Sequence, residues 1–214
     1  YRLQGQKTAA FEIVEELGRA PDYHALPVGN AGNITAHWIG YSEYAGINTA
    51  ACAFCDGNQC PHHGSVVSNN RPKMLGYQAA GSAPFMRGAM VDNPETLATA
   101  IRIGHPQSWD AAWKVKAESG GWYDECTDEY ILATQKRLAM EEGIFCEPAS
   151  ATSVAGVLRD IQNGKIAQGS TVVCTLTGHG LKDPDIAIKV SEGTPLIKIP
   201  AELGAVRDTL LKFM

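Results

Sequence analysis

A short apolar run, His24-Ala25-Leu26-Pro27-Val28, passes directly into Gly29-Asn30-Ala31-Gly32-Asn33 and then into a stretch with helical character that reaches Tyr44. Strand, glycine loop and helix in immediate succession constrain this chain more than any other feature, because they predict an α/β unit. The loop also has chemical potential. Its backbone N–H groups and the positive end of the helix dipole can converge on a phosphate. Without a Cβ, Gly29 and Gly32 let the backbone approach an anion and adopt positive φ, while the amides of Asn30 and Asn33 add donors. A plain strand-to-helix turn would carry the same pattern, so the loop alone leaves both readings open.

The rest of the chain alternates in the same way. Gln4 to Leu17 predicts a first helix, with Ala10, Phe11, Ile13, Val14 and Leu17 at mostly helical spacing and Gly18 closing it. Residues 45–70 shift to Gly, Asn, Cys and His without periodicity, which predicts an irregular insertion. A buried strand is expected over Lys73–Ala80, and Pro94 at a first helical position predicts a helix over Glu95–Ile103. Thr127 is the expected N-cap of a helix to Glu142, and Glu147-Pro148 opens another over Ser150–Ile161. Finally, the β-prone run Thr171–Leu176 delivers the chain into Thr177-Gly178-His179-Gly180, the strand-end position where ligand sites of α/β proteins gather. No internal repeat is visible.

Composition narrows the function classes. Hydrophobic residues at 44% and charged residues at 19% of 214 fit a globular domain rather than a disordered chain. A formal net charge of -5 argues against a nucleic-acid partner, and no apolar run is long enough to span a bilayer. Cys126, Cys146 and Cys174 are scattered among regular segments while Cys52, Cys55 and Cys60 share one loop, so a reducing, cytoplasmic setting is expected. The polar opening Tyr1-Arg2-Leu3-Gln4 has neither an initiator Met nor an apolar leader, which predicts entry into a helix already under way, as in a fragment.

Two further side chains are candidates. The Thr177 hydroxyl could meet a ring nitrogen, and a neutral partner of that kind leaves a pyridine largely unprotonated. Its bland alternative is a helix cap. Arg2 carries the guanidinium suited to bidentate phosphate recognition, or is simply a solvated charge.

The segments YRLQGQKT, PVGNAGNITA, GYQAAGSAP, NPETLATAIRIG, EEGIFCEPASATSVAG and LTGHGLKDP, in this order, resemble the threonine synthase family across nearly the whole chain. That family belongs to the fold-type II pyridoxal-phosphate enzymes, similar to threonine dehydratase and the tryptophan synthase β subunit. The resemblance implies an open twisted sheet with helices on both faces. It places residues 1–214 in most of the large cofactor-binding domain, with the insertion at about 45–70 and the N-terminal small-domain region absent. It also implies pyridoxal 5'-phosphate as cofactor, and conversion of O-phospho-L-homoserine and water to L-threonine and phosphate. Under it, Gly29, Asn30, Ala31, Gly32 and Asn33 match the loop holding the cofactor phosphate. Thr177 matches the threonine facing the pyridine nitrogen, and Arg2 and Asn30 match positions for the substrate phosphate. It leaves room for a homodimer.

Departures from the family pattern qualify these expectations. The family's Schiff-base lysine lies upstream of the matching region, so no catalytic residue is assigned and the isolated chain is expected to be inactive. Lys7 lies on the first helix and reads as a surface or structural lysine. His105 stands where the family carries asparagine, and His179 reads as a loop histidine held by backbone bonds. Cys52, Cys55, Cys60 and His62 or His63 resemble a zinc knuckle but match no standard spacing, so no metal is assigned. The competing functions are a threonine or serine dehydratase-like lyase, which has no substrate phosphate for Arg2 to clamp, and a non-catalytic homologue that binds a phosphorylated ligand.

Overall fold

The computed structural model describes residues 1–55, 66–191 and 197–212. Two compact units divide the chain, Tyr1–Asp183 and Pro184–Met214. The first is built on four parallel strands: β1 (Tyr23–Pro27), β2 (Lys73–Ala79), β3 (Trp122–Cys126) and β4 (Val172–Cys174), in the order β3-β2-β1-β4. In register, Ala25 lies opposite Leu75 on one side and Cys174 on the other. Between the strands run α3 (Gly32–Tyr44), α4 (Pro84–Arg87), α5 (Trp109–Ser119), α6 (Asp128–Glu141) and α7 (Pro148–Gln162), preceded by α1 (Arg2–Gln6) and α2 (Thr8–Leu17).

Successive side chains of a strand point to opposite faces, so β1 must find partners on both sides. Tyr23 and Ala25 enter one core with Leu75, Tyr77 and Val157 of α7. Leu26 enters the other with Met74, with Ile34, Trp38 and Tyr41 of α3, and with Ala112 and Val115 of α5. All five residues of β1 are buried, which is why its sequence is a continuous apolar run rather than an alternating one. An open parallel sheet with helices on both faces follows, as expected.

Strand order also fixes where a ligand can sit. The chain leaves β1 for β2 through α3, and returns to the opposite edge of β1 only with β4. At β1 and β4 the order reverses, and such a switch opens a crevice beyond the carboxyl ends of the two strands.

The elements differ from the sequence expectations in specific places. The first helix begins at Arg2 and breaks at Lys7, giving α1 and α2. Lys7 is buried and pairs with Glu43 of α3 at 2.6 Å, so its role is structural. The helix expected over Glu95–Ile103 is absent apart from a 3₁₀ turn at Thr99–Ile101. Tertiary partners take its backbone donors instead: Glu95 N–H bonds Gly81 O at 2.9 Å and Leu97 N–H bonds Asp128 Oδ2 at 2.8 Å. Helix α5 and strand β3 are additional to the expected elements. β3 carries Asp124 and Glu125 and lies at the sheet edge, where a half-buried strand gives little apolar signal. β4 is limited to three of the six residues expected. Thr127 caps α6 as foreseen, accepting from Tyr130 N–H at 3.3 Å, and Pro148 opens α7.

Within the insertion, Thr49 and Ala50 are bound to Glu118 of α5, and Val67 N–H returns to Tyr44 O at 2.8 Å. Cys52 is buried. Cys60, His62 and His63 lie outside the described residues, and no cluster of three metal-ligating side chains occurs among the described ones. The second unit contains α8 (Pro184–Ser191) and α9 (Leu203–Leu210). No helix among the described residues is long and apolar enough to cross a membrane.

Candidate functional site

Beyond the ends of β1 and β4 lies a cavity of about 740 Å³. It gathers Gly29, Asn30, Gly32 and Asn33 from the loop after β1, Arg2 from α1, and Thr175, Leu176 and Thr177 after β4. Of the residues expected to form a site, only Ala31 is not among its lining. Ala31 is buried and contributes through its backbone, with φ at 61° as N-cap of α3. The positive φ therefore falls on alanine, not on Gly29 or Gly32 as the sequence suggested.

The two glycines act by space rather than by φ. A Cβ on Gly29 would lie 2.9 Å from Ile103 Cδ1 and 3.2 Å from Ala100 O and Ile101 Cα. A Cβ on Gly32 would meet no atom closer than 3.7 Å, so the missing side chain leaves room in the cavity. Helix α3 has no side-chain cap, so its first N–H groups are available to an anion. Asn30 accepts from Gln107 N–H through Oδ1 at 3.4 Å and from Ser108 N–H through its carbonyl at 3.1 Å. Both acceptors are thus engaged, leaving the amide N–H donors for a ligand. Arg2 is exposed while lining the same cavity.

The opposite wall carries groups that sequence reasoning missed. Thr177 Oγ1 lies 3.1 Å from Ser150 Oγ and donates to Glu147 Oε1 at 3.3 Å, and Lys182 pairs with Glu147 at 3.1 Å. Glu147 precedes Pro148 and reads as a helix-start residue, so nothing in the local pattern announces a buried carboxylate. His179 accepts from Leu181 N–H at 3.2 Å and caps a 3₁₀ turn, which accounts for it structurally.

Behind the loop, His24 Nε2 meets Thr175 Oγ1 at 2.7 Å and its Nδ1 meets the Tyr41 hydroxyl at 2.9 Å. His37 lines the cavity, donates from Nδ1 to Asn33 O at 2.9 Å, and has no partner at Nε2 among the described residues. Burial lowers the pKa of both imidazoles; the neighbouring His37 lowers that of His24 further, while the bond to the Asn33 carbonyl offsets part of the lowering at His37.

This donor set suits a phosphorylated pyridine. Uncapped N–H groups and the Asn30 amide match a phosphate at one end, and a hydroxyl matches a ring nitrogen at the other.

Comparison with known proteins bears on the family and the fold. The family model for pyridoxal-phosphate dependent enzymes matches residues 1–178. The chain is 52% identical to threonine synthase of Synechocystis sp. over 191 residues, covering 89% of the chain and 45% of that protein. It is 53% identical to threonine synthase of Mycobacterium leprae over 209 residues, covering 98% of the chain and 52% of that protein. It therefore spans about half the length of the curated relatives it matches. Among solved structures it resembles threonine deaminase isoform 2 of Solanum lycopersicum, with a TM-score of 0.65 at 18% identity over 91% of the chain and 50% of that structure. Maize serine racemase gives a TM-score of 0.60 at 16% identity over 100% of the chain and 55% of that structure. These two likenesses concern the fold; the family match, together with a cavity built at its strand ends, leads to the conclusion that this chain belongs to the pyridoxal-phosphate dependent enzymes.

Proposed function

We propose that the chain is most of the large domain of a cytoplasmic threonine synthase, the whole protein converting O-phospho-L-homoserine and water to L-threonine and phosphate. The observation that carries this reading is the meeting of Arg2, the 29–33 loop and Thr177 in one cavity, although they are 175 residues apart in sequence at the extremes. Identities of 43 to 54% with threonine synthases support it from the comparisons.

In this reading Gly29 to Asn33 and the N-terminus of α3 hold the cofactor phosphate, and Thr177 fixes the ring at its nitrogen. Bound there, pyridoxal phosphate would supply an electron sink for negative charge at the substrate's α- and β-carbons. Arg2, with the Asn30 amide, holds the substrate phosphate, and its guanidinium stabilises the charge that accumulates as that group departs. A dehydratase has no use for such a clamp, so Arg2 separates the two activities. The small domain and the cofactor-bearing lysine belong, in this reading, to the part of the longer protein that the chain does not span.

An absorbance spectrum of the complete gene product, taken before and after addition of phosphohomoserine, tests the proposal. A cofactor band that shifts, with stoichiometric release of phosphate and formation of threonine, is the expected result. Turnover of threonine to a 2-oxo acid without phosphate chemistry would assign a dehydratase instead, and absence of any bound cofactor would leave a non-catalytic binding protein.

A further inference from the structure

Three side chains form a hydrogen-bonded series that runs from the interior out to the cavity. The Tyr41 hydroxyl lies 2.9 Å from His24 Nδ1, and His24 Nε2 lies 2.7 Å from Thr175 Oγ1. Tyr41 and His24 are 1% and 0% exposed, whereas Thr175 lines the cavity. Burial holds the His24 pKa well below its ordinary value, so the ring is neutral and carries one donor and one acceptor. Which nitrogen holds the hydrogen decides the direction of the whole series.

The surroundings select one direction. Were Nδ1 protonated, it would donate to the Tyr41 oxygen, and the phenolic hydrogen would be enclosed with no acceptor among the described residues. Buried donors are rarely left so. With Tyr41 donating to Nδ1, the Nε2–H donates to Thr175 Oγ1, and both ring nitrogens and the phenol are paired. The Thr175 N–H is already bonded to Ala25 O at 3.0 Å, and its carbonyl accepts from Ser153 Oγ at 3.4 Å. What Thr175 has left to give a ligand is its hydroxyl hydrogen.

The position of that hydroxyl indicates the atom it meets. The His24 ring touches His37 edge-on, with centroids 4.8 Å apart, and His37 donates from Nδ1 to Asn33 O at 2.9 Å. Thr175 Oγ1 therefore lies on the α3 side of the sheet, toward the uncapped start of that helix and the end of the 29–33 loop.

We propose that Thr175 is a further ligand of the cofactor phosphate, donating its hydroxyl hydrogen to a phosphate oxygen, and that His24 and Tyr41 are positioning residues that keep the hydrogen directed there. This rests on the reading of the cavity as the pyridoxal-phosphate site.

The test uses the complete gene product. A two-bond ¹H–¹⁵N correlation of the His24 ring reads the tautomer without reference to cofactor: hydrogen on Nε2 is expected, and hydrogen on Nδ1 would overturn the series. Cofactor-free protein is then titrated with pyridoxal 5'-phosphate and with pyridoxal, followed by absorbance. Binding of neither by the wild type would overturn the reading of the cavity itself, and the proposal with it. Thr175→Val should weaken pyridoxal phosphate about tenfold or more, the loss of a hydrogen bond to a charged group, and leave pyridoxal unchanged. Thr175→Ser should restore the affinity. Tyr41→Phe frees the tautomer of His24 and should weaken pyridoxal phosphate by a smaller factor; that effect should vanish in the Thr175→Val background, where general loosening would persist. Wild-type affinity in Thr175→Val, with cofactor bound normally, would overturn the proposal alone. So would an equal loss for pyridoxal, which places the hydroxyl on the ring, or a loss confined to the KM for phosphohomoserine, which places it on the substrate. Should Thr175→Val fail to fold, Thr175→Ala gives the same comparison.

Discussion

The Tyr77 hydroxyl donates to Asp160 Oδ2 at 2.7 Å, and the Trp122 indole N–H reaches the same oxygen at 2.7 Å. One fully buried carboxylate on α7 therefore ties together β2 and β3, with Arg159 and Lys165 flanking its other oxygen. Asp160→Ala would strand two donors in the interior and leave Arg159 without part of its neutralisation. Removing one partner of such a buried network costs about 3 to 5 kcal/mol, and urea unfolding should register a loss of that size. A loss under 1 kcal/mol, on the order of a surface substitution, would refute the account.

Glu118 performs a comparable task at the surface side of α3. It accepts from Trp38 Nε1 at 2.7 Å, from Thr49 Oγ1 at 2.5 Å and from Ala50 N–H at 2.8 Å. Glu118→Ala should cost about 2 kcal/mol and release the entry to the insertion first. Hydrogen exchange at Ala50 and Cys52 should accelerate well beyond exchange in β1; equal acceleration in both would mean that Glu118 supports the whole unit.

The buried imidazoles give stability a pH dependence whose sign can be worked out. Burial lowers the folded pKa of His24 and His37 below the ordinary 6.5, so below that value the unfolded chain binds protons that the folded chain refuses. Their contribution is complete above about pH 6.5 and is lost as the pH falls from there toward their folded values. The urea midpoint should drop between about pH 7.5 and 5.5, and His37→Phe should flatten that slope. An unchanged slope would assign the acid sensitivity to other groups.

Arg2 should act on substrate rather than on cofactor. In the complete gene product, Arg2→Ala should raise the KM for phosphohomoserine by about 10 to 100-fold, the worth of a charge-assisted phosphate contact, with the cofactor spectrum intact. A loss of the spectrum together with the activity would place Arg2 at the cofactor instead.

Gly29→Ala probes the close packing of the loop. Its Cβ would press on Ile103 and on the backbone of Ala100 and Ile101, displacing the loop that leads into α3. Cofactor affinity should fall about tenfold or more, as overpacking of 1 to 3 kcal/mol implies. Gly32→Ala meets no atom closer than 3.7 Å in the protein, so it should leave the stability unchanged and weaken only ligand binding.

Much of this site was legible in the sequence because its parts follow local rules. An apolar strand, a glycine loop and an uncapped helix start are contiguous, and Thr177 follows a β-prone run. What the sequence concealed depends on contacts distant along the chain. Glu147 reads as a helix-start residue, and only its position beside Thr177, 30 residues later, makes it part of the wall. The segment after Pro94 has the start signal of a helix, but Asp128 and Gly81 capture its polar groups and hold it irregular. Charged β3 hides at the sheet edge for the same reason, since its order comes from β2 and not from its own pattern.

The placement of β1 between β2 and β4 has a consequence for synthesis. Translation produces the apolar segment Tyr23–Pro27 long before Val172–Cys174, its neighbour on one side. Until that neighbour emerges, β1 presents a bare ribbon edge, the kind of surface that pairs with other chains. A premature stop anywhere before Thr171 would preserve the loop at residues 29–33 and still yield a product prone to aggregate. β4 thus serves as a completeness check, covering that side of β1 and completing the cavity in one step.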